Sequence, residues 1–353
     1  MTKTFQELGI DVDTTKALKE NGYDDPFPIQ QEAIPLMLKG VDVIGQAHTG
    51  TGKTAAFALP ILTKIKRRGP IQALILVPTR ELAVQVTAEI NKFAKYTVSI
   101  YGGQSIGIQY DQLRRGVQIL VATPGRLIDH IKQGSIDLEN VKYVVLDEAD
   151  RMLDMGFIDD IKFILFYVNE ERQTCLFSAT MPPEILRLAQ EYMKEFEEVR
   201  LNEEELSLDT IDQSYLVVYE KEKFKHLCNF IRNKNQKQTI VFAATKQRAD
   251  RLAYQLRQEG FRAVTIHGDL TQKQRDNSMF KFRKGSEDIL VATDIAARGI
   301  DVPAIGHVIN YDIPQTPEDL LVHPELAPAH VGATEELIAT AGPAEPPPTS
   351  PSS

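Results

Sequence analysis

One segment of this chain reads Ala47-His48-Thr49-Gly50-Thr51-Gly52-Lys53-Thr54, between an apolar run and a helix-like run. Gly50 and Gly52 let the backbone turn its N–H groups toward a phosphate. Lys53 would then reach the β and γ phosphates of a nucleotide, and the Thr54 hydroxyl would complete the shell of a Mg²⁺ ion. The alternative is a glycine-rich turn that holds a lysine by chance. The flanking strand and helix favour the phosphate-binding loop.

Short apolar runs alternate with helix-like stretches on both sides of this loop. Those of the first half are Val43–Gly45, Ala73–Val77, Ile119–Ala122, Tyr143–Leu146 and Thr174–Phe177. Those of the second half are Tyr215–Val218, Thr239–Phe242, Ala263–Ile266, Ile289–Ala292 and His307–Asn310. Nearly continuous apolar runs are typical of parallel strands that are buried on both faces. The pattern predicts two α/β domains in tandem, each with a parallel sheet covered by helices.

The domain limits follow from changes in composition along the 353 residues. A helix-like stretch from Pro183 to Phe196 is followed by an acidic passage, and we place the end of the first domain at residue 208. The second domain then covers residues 209–318. Residues 319–353 contain no Lys or Arg and hold seven of the 19 prolines. Such a segment buries too little apolar surface to offset its ordering entropy, so we expect a disordered Ala/Pro-rich tail.

Composition excludes several classes of protein. No apolar stretch approaches the roughly 20 residues of a membrane-spanning helix, which predicts no membrane association. Two cysteines cannot form a disulfide framework, and reduced buried thiols indicate the cytoplasm. The histidines lack metal-ligand spacing. A net charge of −9 argues against nucleic-acid binding by bulk charge but is compatible with a local basic groove.

Two adjacent carboxylates, Asp147 and Glu148, follow the apolar run Tyr143–Leu146. Ligands of open α/β sheets bind at the carboxyl ends of the strands. Asp147 could hold Mg²⁺ through water there, and Glu148 could align and deprotonate an attacking water. The alternative is a solvated acidic helix cap, which becomes less favoured beside a phosphate-binding loop.

A set of motifs in this order resembles the DEAD-box RNA helicases of the bacterial cold-shock type. The motifs are Gln46-Ala47-x-Thr49-Gly50-x-Gly52-Lys53-Thr54, Asp147-Glu148-Ala149-Asp150 and Ser178-Ala179-Thr180. The resemblance covers about residues 1 to 318. It implies two RecA-like domains that bind ATP and Mg²⁺ mainly on the first domain, hold RNA across both, and separate short duplexes.

The resemblance also assigns nucleotide and coupling residues. Gln30 would hydrogen-bond the adenine edge, and Phe5 would pack on the base. Position 27 is usually threonine in the family and is Phe27 here, which would reshape this site. Ser178 and Thr180 would bond to Asp150 and link the nucleotide state to domain closure, although a polar loop after a strand is the alternative. Gly299 and Asp301 of the second domain would face the ribose.

The RNA contacts that the resemblance implies come from both domains. They are Thr79, Arg80, Gly102, Gly103, Thr123 and Arg126 of the first domain and Thr293 and Arg298 of the second. Guanidinium groups and neutral donors suit phosphates, and such contacts carry no sequence information. We therefore expect binding to the RNA backbone without strong sequence preference. Alternatives are a surface arginine for Arg80 and a strand-end turn for the segment around Arg298.

The chain departs from the family after about residue 318. No arginine follows Arg298, so the arginine finger that would touch the γ-phosphate has no candidate. Loss of such a charge costs about 10³ to 10⁵ in turnover in related enzymes. The second domain would also lack its last strand and helix, which predicts an incomplete domain with an uncovered sheet edge.

Three functions remain open at this point. The first is an ATP-dependent RNA helicase, expected to be a monomer with partners in RNA processing or decay. The second is an impaired ATP- and RNA-binding module that lacks the arginine finger. The third is a DNA translocase of the same superfamily, against which the Asp147–Asp150 motif and the Gln30 segment argue.

Overall fold

The computed structural model of the chain describes residues 3–47, 51–66, 68–94, 96–200, 211–233, 238–293, 305–312 and 333–340. The chain separates into two compact units, Met1–Leu206 and Ser207–Ser353. The limit that we predicted at residue 208 falls in 201–210, which lie outside the described residues. The domain limits therefore stay a prediction.

The first unit alternates helices and strands along the chain. Its helices are α1 (Val12–Glu20), α2 (Pro28–Lys39), α3 (Lys53–Lys64), α4 (Arg80–Ile90), α5 (Ile106–Arg114), α6 (Pro124–Lys132), α7 (Ala149–Asp154), α8 (Ile158–Phe166) and α9 (Pro183–Tyr192). Its strands are β1 (Asp42–Gln46), β2 (Ala73–Leu76), β3 (Thr97–Ile100), β4 (Ile119–Ala122), β5 (Tyr143–Asp147), β6 (Gln173–Ser178) and β7 (Phe196–Arg200).

These strands form one parallel sheet in the order β3-β4-β2-β5-β6-β1-β7. Successive residues of β2 belong to two different core clusters, Ile75 to one and Leu74 to the other. The first cluster includes residues of α2, α3 and α4, and the second includes residues of α6, α8 and α9. Each inner strand is therefore apolar on both faces, which confirms the interpretation of its continuous apolar run.

Two edge strands of this sheet, β3 and β7, are missing from the sequence prediction. The helix that we predicted from Pro183 to Phe196 is too long. In the structure α9 ends at Tyr192, and Phe196 is the first residue of β7. Within β7 only Val199 is buried, and Glu197 and Glu198 are exposed. An edge strand pairs on one side and needs few apolar side chains, so a search for apolar runs does not detect it.

The second unit repeats the alternation with a different sheet. Its helices are α10 (Glu220–Asn233), α11 (Lys246–Gln258) and α12 (Gln272–Arg283). Its strands are β8 (Ile211–Val218), β9 (Thr239–Phe242), β10 (Ala263–Ile266), β11 (Ile289–Ala292), β12 (His307–Asn310) and β13 (Ala333–Thr340). They are parallel, in the order β10-β11-β9-β12-β13-β8. Across both units, none of the described helices has the length and apolar composition of a membrane span.

The β13 strand lies inside the segment that we expected to be a disordered tail. It pairs with β12 on one side and β8 on the other, at the edge that we expected to be uncovered. The sequence pattern misses it because Thr334, Glu335 and Glu336 interrupt the apolar run that marks the other inner strands. The flanking residues 313–332 and 341–353 lie outside the described residues.

Both cysteines lie in the cores, as predicted. Cys175 of β6 and Cys228 of α10 are buried and free of disulfides. Burial raises the pKa of the Cys175 thiol to about 12 and that of Cys228 to about 11, because the thiolate would lose its hydration. Both thiols therefore behave as apolar core groups.

The contact between Gly45 and Phe177 provides a test of the packing in the first sheet. A Cβ atom at Gly45 of β1 would lie 2.5 Å from Cδ1 of Phe177 on β6. The Phe177 ring also packs against Phe57, at 5.3 Å between centroids, which limits its retreat. We expect Gly45→Ala to lower the free energy of unfolding by about 1–3 kcal/mol, because overpacking strains the core. Urea unfolding followed by circular dichroism measures this change.

The matched control is Gly107→Ala in α5. A Cβ atom there meets its nearest neighbour, Ser105 Oγ, at 3.7 Å, which is an ordinary contact. Alanine in a helix should leave stability unchanged or raise it by up to about 1 kcal/mol. Equal destabilisation by the two substitutions would contradict the close packing at Gly45.

Candidate active site

Each motif segment of the first unit stands at or just after the carboxyl end of a strand. These positions are Ala47 after β1, Thr79 after β2, Gly102 after β3, Thr123 after β4, Asp147 at the end of β5 and Ser178 at the end of β6. Because the strands are parallel, the segments meet along one edge of the sheet. The strand order separates them into a nucleotide half, β5-β6-β1, and an expected RNA half, β3-β4-β2.

The phosphate-binding loop ends in a residue that must be glycine. Gly52 has φ +85° and immediately precedes α3. A Cβ atom at this position would lie 2.3 Å from Nε2 of Gln30 and 2.9 Å from Cδ2 of Phe27. Both the left-handed backbone and the lack of space therefore exclude a larger residue. The predicted Gly50 lies outside the described residues.

Lys53 opens α3 directly after this turn. Its side chain is buried, and its Nζ atom has no hydrogen-bond partner among the described residues. A buried ammonium without a partner is destabilising, and the N-terminus of a helix adds further positive charge. The two together form a site for an anion such as phosphate. Thr54, the next residue of α3, is half-buried and adds a hydroxyl oxygen.

Asp147 lies buried at the end of β5, which β6 separates from β1 in the sheet. Burial raises the pKa of its carboxyl to about 7, against the attraction of Lys53 and with a smaller contribution from Glu148. Its Oδ1 accepts a hydrogen bond from the Glu148 N–H at 3.0 Å. A carboxylate that burial keeps poorly solvated would be stabilised by a bound cation.

Glu148 has a strained backbone, with φ +52°. No other non-glycine residue among those described has a positive φ. Its Oε2 accepts from Nη1 of Arg151 at 2.8 Å, and both side chains are nearly buried. Strain of this kind, which costs about 1–3 kcal/mol, is concentrated at functional sites. The ion pair with Arg151, which the motif comparison did not assign, orients the carboxylate next to Asp147.

Asp150 makes the hydrogen bonds that the resemblance implied. Its Oδ2 accepts from the backbone N–H of Thr180 at 2.8 Å and from the Thr180 hydroxyl at 2.9 Å. Its own N–H donates to Oγ of Ser178 at 3.0 Å. The loops after β5 and β6 are thereby joined side by side. The role of this contact in coupling stays a prediction.

Gln30 contacts the phosphate-binding loop. Its Nε2 donates to the Gly52 carbonyl at 3.0 Å, and its Oε1 accepts from the Phe27 N–H at 3.0 Å. Phe5 packs in a core cluster with Leu18 and Leu59 and is 3% exposed. This packing does not support the expected stacking of Phe5 on adenine. Both adenine contacts stay predictions.

In the RNA half, the loops after β2 and β3 touch through Arg80. Its guanidinium stacks over the Tyr101 ring, with 4.9 Å between Cζ and the centroid. Thr79 caps α4, since its Oγ1 accepts from the Leu82 N–H at 3.3 Å. Stacking holds the planar guanidinium at the carboxyl edge of the sheet.

Arg126, an expected RNA contact, is held by hydrogen bonds within the first unit. Its Nη1 donates to the Gln104 carbonyl at 2.8 Å and to Oε1 of Gln109 at 3.1 Å. The side chain is 14% exposed. These bonds hold the loop that carries the exposed Gly102 and Gly103, so Arg126 positions that loop. A direct contact between Arg126 and RNA stays a prediction.

Behind Arg126 lies a buried polar network that sequence reasoning missed. Gln109 of α5 and His130 of α6 are both fully buried. Nε2 of His130 is 3.1 Å from Oε1 of Gln109, and its Nδ1 is 2.9 Å from Oγ of Ser135. Gln109 also donates to the Tyr101 carbonyl at 2.9 Å. Isolated polar residues on helices resemble surface positions, so the sequence carries no signal for this network.

Of the site residues expected in the second unit, the structure describes only Thr293. Thr293 follows β11, and its N–H donates to the Ile266 carbonyl at 3.3 Å. Arg298, Gly299 and Asp301 lie outside the described residues, as does the segment in which the arginine finger was sought.

Two protein-family models match the chain. The model described as DEAD/DEAH box helicase matches residues 27–188, and the helicase conserved C-terminal domain matches residues 222–323. The DEAD-box ATP-dependent RNA helicase CshA of Geobacillus kaustophilus is 49% identical over 320 residues, which are 89% of this chain and 68% of that protein. The protein of the same name from Bacillus subtilis is 49% identical, over 90% of this chain and 65% of its own length. The chain thus spans about two thirds of the length of these relatives.

Two solved structures are also similar to this chain over most of its length. S. cerevisiae Dbp5 bound to RNA and ADP BeF3 is similar with a TM-score of 0.85 and 29% identity, over 96% of this chain and 90% of that chain. A DEAD box protein from the hyperthermophile Methanococcus jannaschii has a TM-score of 0.56 and 41% identity, over 96% of this chain and 93% of that chain.

The His130 network predicts a dependence of stability on pH. Burial, with a contribution from Arg126, lowers the pKa of His130 below its ordinary value of 6.5. The unfolded state then binds more protons just below pH 6.5, so stability is lost as pH falls through that value. We expect the free energy of unfolding to decrease by at most about 1.4 kcal/mol per pH unit there. Urea unfolding at several pH values measures the slope.

Two variants isolate this contribution. His130→Gln should flatten the slope although it lowers stability at neutral pH, while His226→Gln, at a half-buried position in the second unit, should leave the slope unchanged. An identical pH slope in wild type and His130→Gln would contradict the assignment.

Proposed function

The chain belongs to the DEAD/DEAH box helicase family, and we propose that it couples ATP binding and hydrolysis to the local separation of RNA strands. The observation that carries this proposal is the buried, unpartnered Nζ of Lys53 beside Asp147 at the N-terminus of α3. An anion bound there would receive the backbone N–H groups of the helix as well as the ammonium. The two relatives are named ATP-dependent RNA helicases, which supports ATP as the anion that binds here.

Thr54 would bind a Mg²⁺ ion directly through its hydroxyl, and Asp147 would hold the ion through water. Oxygen ligands of this kind suit Mg²⁺, and a cation would stabilise the buried Asp147 carboxylate, whose pKa is near 7. When bound, the metal neutralises charge on the phosphates. Glu148, oriented by Arg151, would accept the proton of the attacking water at its carboxylate. Lys53 would hold the charge that develops on the transferred phosphoryl group.

RNA would lie along the half of the edge formed by β3, β4 and β2. Arg80 and the glycine loop that Arg126 holds offer donors to phosphate oxygens. Such contacts read no base edges, so binding should be largely independent of sequence. We further propose a monomer in the cytoplasm, with partners in RNA processing or decay.

Phosphate release with and without single-stranded RNA tests this proposal. We expect RNA-stimulated turnover; binding of both ligands without turnover would contradict it. Equal stimulation by DNA of the same sequence would instead favour a DNA translocase.

Lys53→Ala tests the nucleotide site. Removal of the ammonium should weaken ATP binding by about 10- to 100-fold, the value of a charge-assisted hydrogen bond to phosphate. Titration with a fluorescent ATP analogue measures the affinity. Lys16→Ala, at an exposed position on α1, is the control and should bind ATP as the wild type does. Unchanged affinity in Lys53→Ala would show that the loop does not hold the phosphates.

Arg80→Ala tests the RNA half. Loss of one phosphate contact should weaken RNA binding similarly for all sequences and reduce the salt slope of log affinity by about 1. Fluorescence anisotropy with two unrelated single-stranded RNAs at several salt concentrations measures both effects. Arg187→Ala, an exposed position on α9, should change neither. A loss confined to one RNA sequence would contradict a contact with the backbone.

A further inference from the structure

A groove with both apolar and polar lining residues lies in the first unit between the C-terminal ends of α6 and α8. It has a volume of about 690 Å³ and is lined by the loops that precede β5 and β6. Leu138 and Val168 are buried beneath it, and Ile131 and Ile136 are half-buried at its side. We call this surface the basal groove. Its lining also includes the aromatic residues Phe166 and Tyr167 and the carboxylates of Asp137, Glu139 and Glu170.

Two exposed aromatic side chains form one wall of the basal groove. Phe166, the last residue of α8, is 83% exposed, and Tyr167 is 46% exposed. Their rings pack edge to face at 5.5 Å between centroids, and Phe163 supports Tyr167 at 5.1 Å. An exposed phenylalanine in a groove is a common anchor of protein interfaces, where aromatic residues contribute most of the binding energy.

The charged residues that line the basal groove are all acidic. Asp137, Glu139 and Glu170 are exposed, and none of them has an ion-pair partner within the part of the chain that the structure describes. Two cations lie beside the groove but do not line it. Lys132 lies over the Phe163 ring, and Arg172 donates to the carbonyls of Val168 and Asn169 while its charge also attracts Glu170. The residues that line the groove therefore combine an aromatic wall with three carboxylates and no cation.

We propose that the basal groove docks a peptide segment of a partner protein, in which an aromatic or aliphatic side chain is flanked by lysine or arginine. The apolar residue would pack against Phe166 and Tyr167, and the cations would face the three carboxylates. RNA does not fit, because its phosphates would meet these carboxylates. A symmetric second copy would place the same acidic groups opposite one another, in a chain of net charge −9.

The groove lies at the opposite end of the strands from the nucleotide site. Leu138 and Val168 come before the first residues of β5 and β6, whereas Asp147 and Ser178 end those strands. A strand of five or six residues separates the two edges by about 13–17 Å. Docking therefore leaves the nucleotide edge accessible, and the proposal does not depend on the proposed ATPase activity.

Selection from a random displayed peptide library on the purified full chain tests the proposal. Enriched peptides are synthesised with a fluorescent label, and their affinity is measured by anisotropy. We expect sequences with an apolar residue between lysines or arginines. Phe166→Ala should weaken them at least about tenfold, the effect of losing an aromatic anchor. The double variant Glu139→Gln, Glu170→Gln should weaken them as well and reduce the effect of salt.

Matched controls are Tyr254→Ala, an exposed aromatic residue of the second unit, and the pair Glu195→Gln, Glu197→Gln. Both should leave peptide affinity unchanged. The proposal is overturned if no enriched peptide depends on Phe166, or if the enriched peptides lack positive charge. Sedimentation showing a dimer that Phe166→Ala dissociates would also overturn it, because a second copy would then occupy the groove.

Discussion

The charge balance at the start of α3 is the constraint on which the first unit depends. Folding buries the Lys53 ammonium without a hydrogen-bond partner among the described residues and raises the pKa of the adjacent Asp147 to about 7. Each of these groups is costly to bury alone. A phosphate with a divalent cation would compensate both at once. The proposed nucleotide binding thus rests on charges that the fold itself leaves incompletely compensated.

Hydrogen bonds between neighbouring loops connect this charge pair to the rest of the edge. Asp150 joins the loop after β5 to Thr180 after β6, and Gln30 joins α2 to Gly52. In the other half of the edge, Arg126 and the buried network around His130 fix the glycine loop after β3. The two halves therefore contain rigid contacts between successive loops, which is the arrangement needed to hold a phosphate backbone beside a nucleotide.

Features that leave a clear pattern in the sequence, such as an apolar run or a motif, could be predicted, and features without such a pattern could not. Apolar runs such as Ile119–Ala122 predict inner parallel strands correctly, because burial on both faces requires them. The edge strand β7 was missed because it pairs on one side only and has few apolar residues, and β13 was missed because Glu335 and Glu336 interrupt its apolar residues. Motif comparison found Asp150 with its partners. It missed Arg151 and His130, whose roles in the structure depend on burial.

The amino-acid order alone specified the chemical groups: a lysine after a glycine turn, paired carboxylates after an apolar strand, and arginines after two others. In chain order the expected nucleotide and RNA motifs are interleaved, because the segments after β2, β3 and β4 stand between those after β1 and β5. Folding sorts them. The order β3-β4-β2-β5-β6-β1 gathers each group on its own half of one edge, since lateral pairing of parallel strands is independent of their succession in the chain.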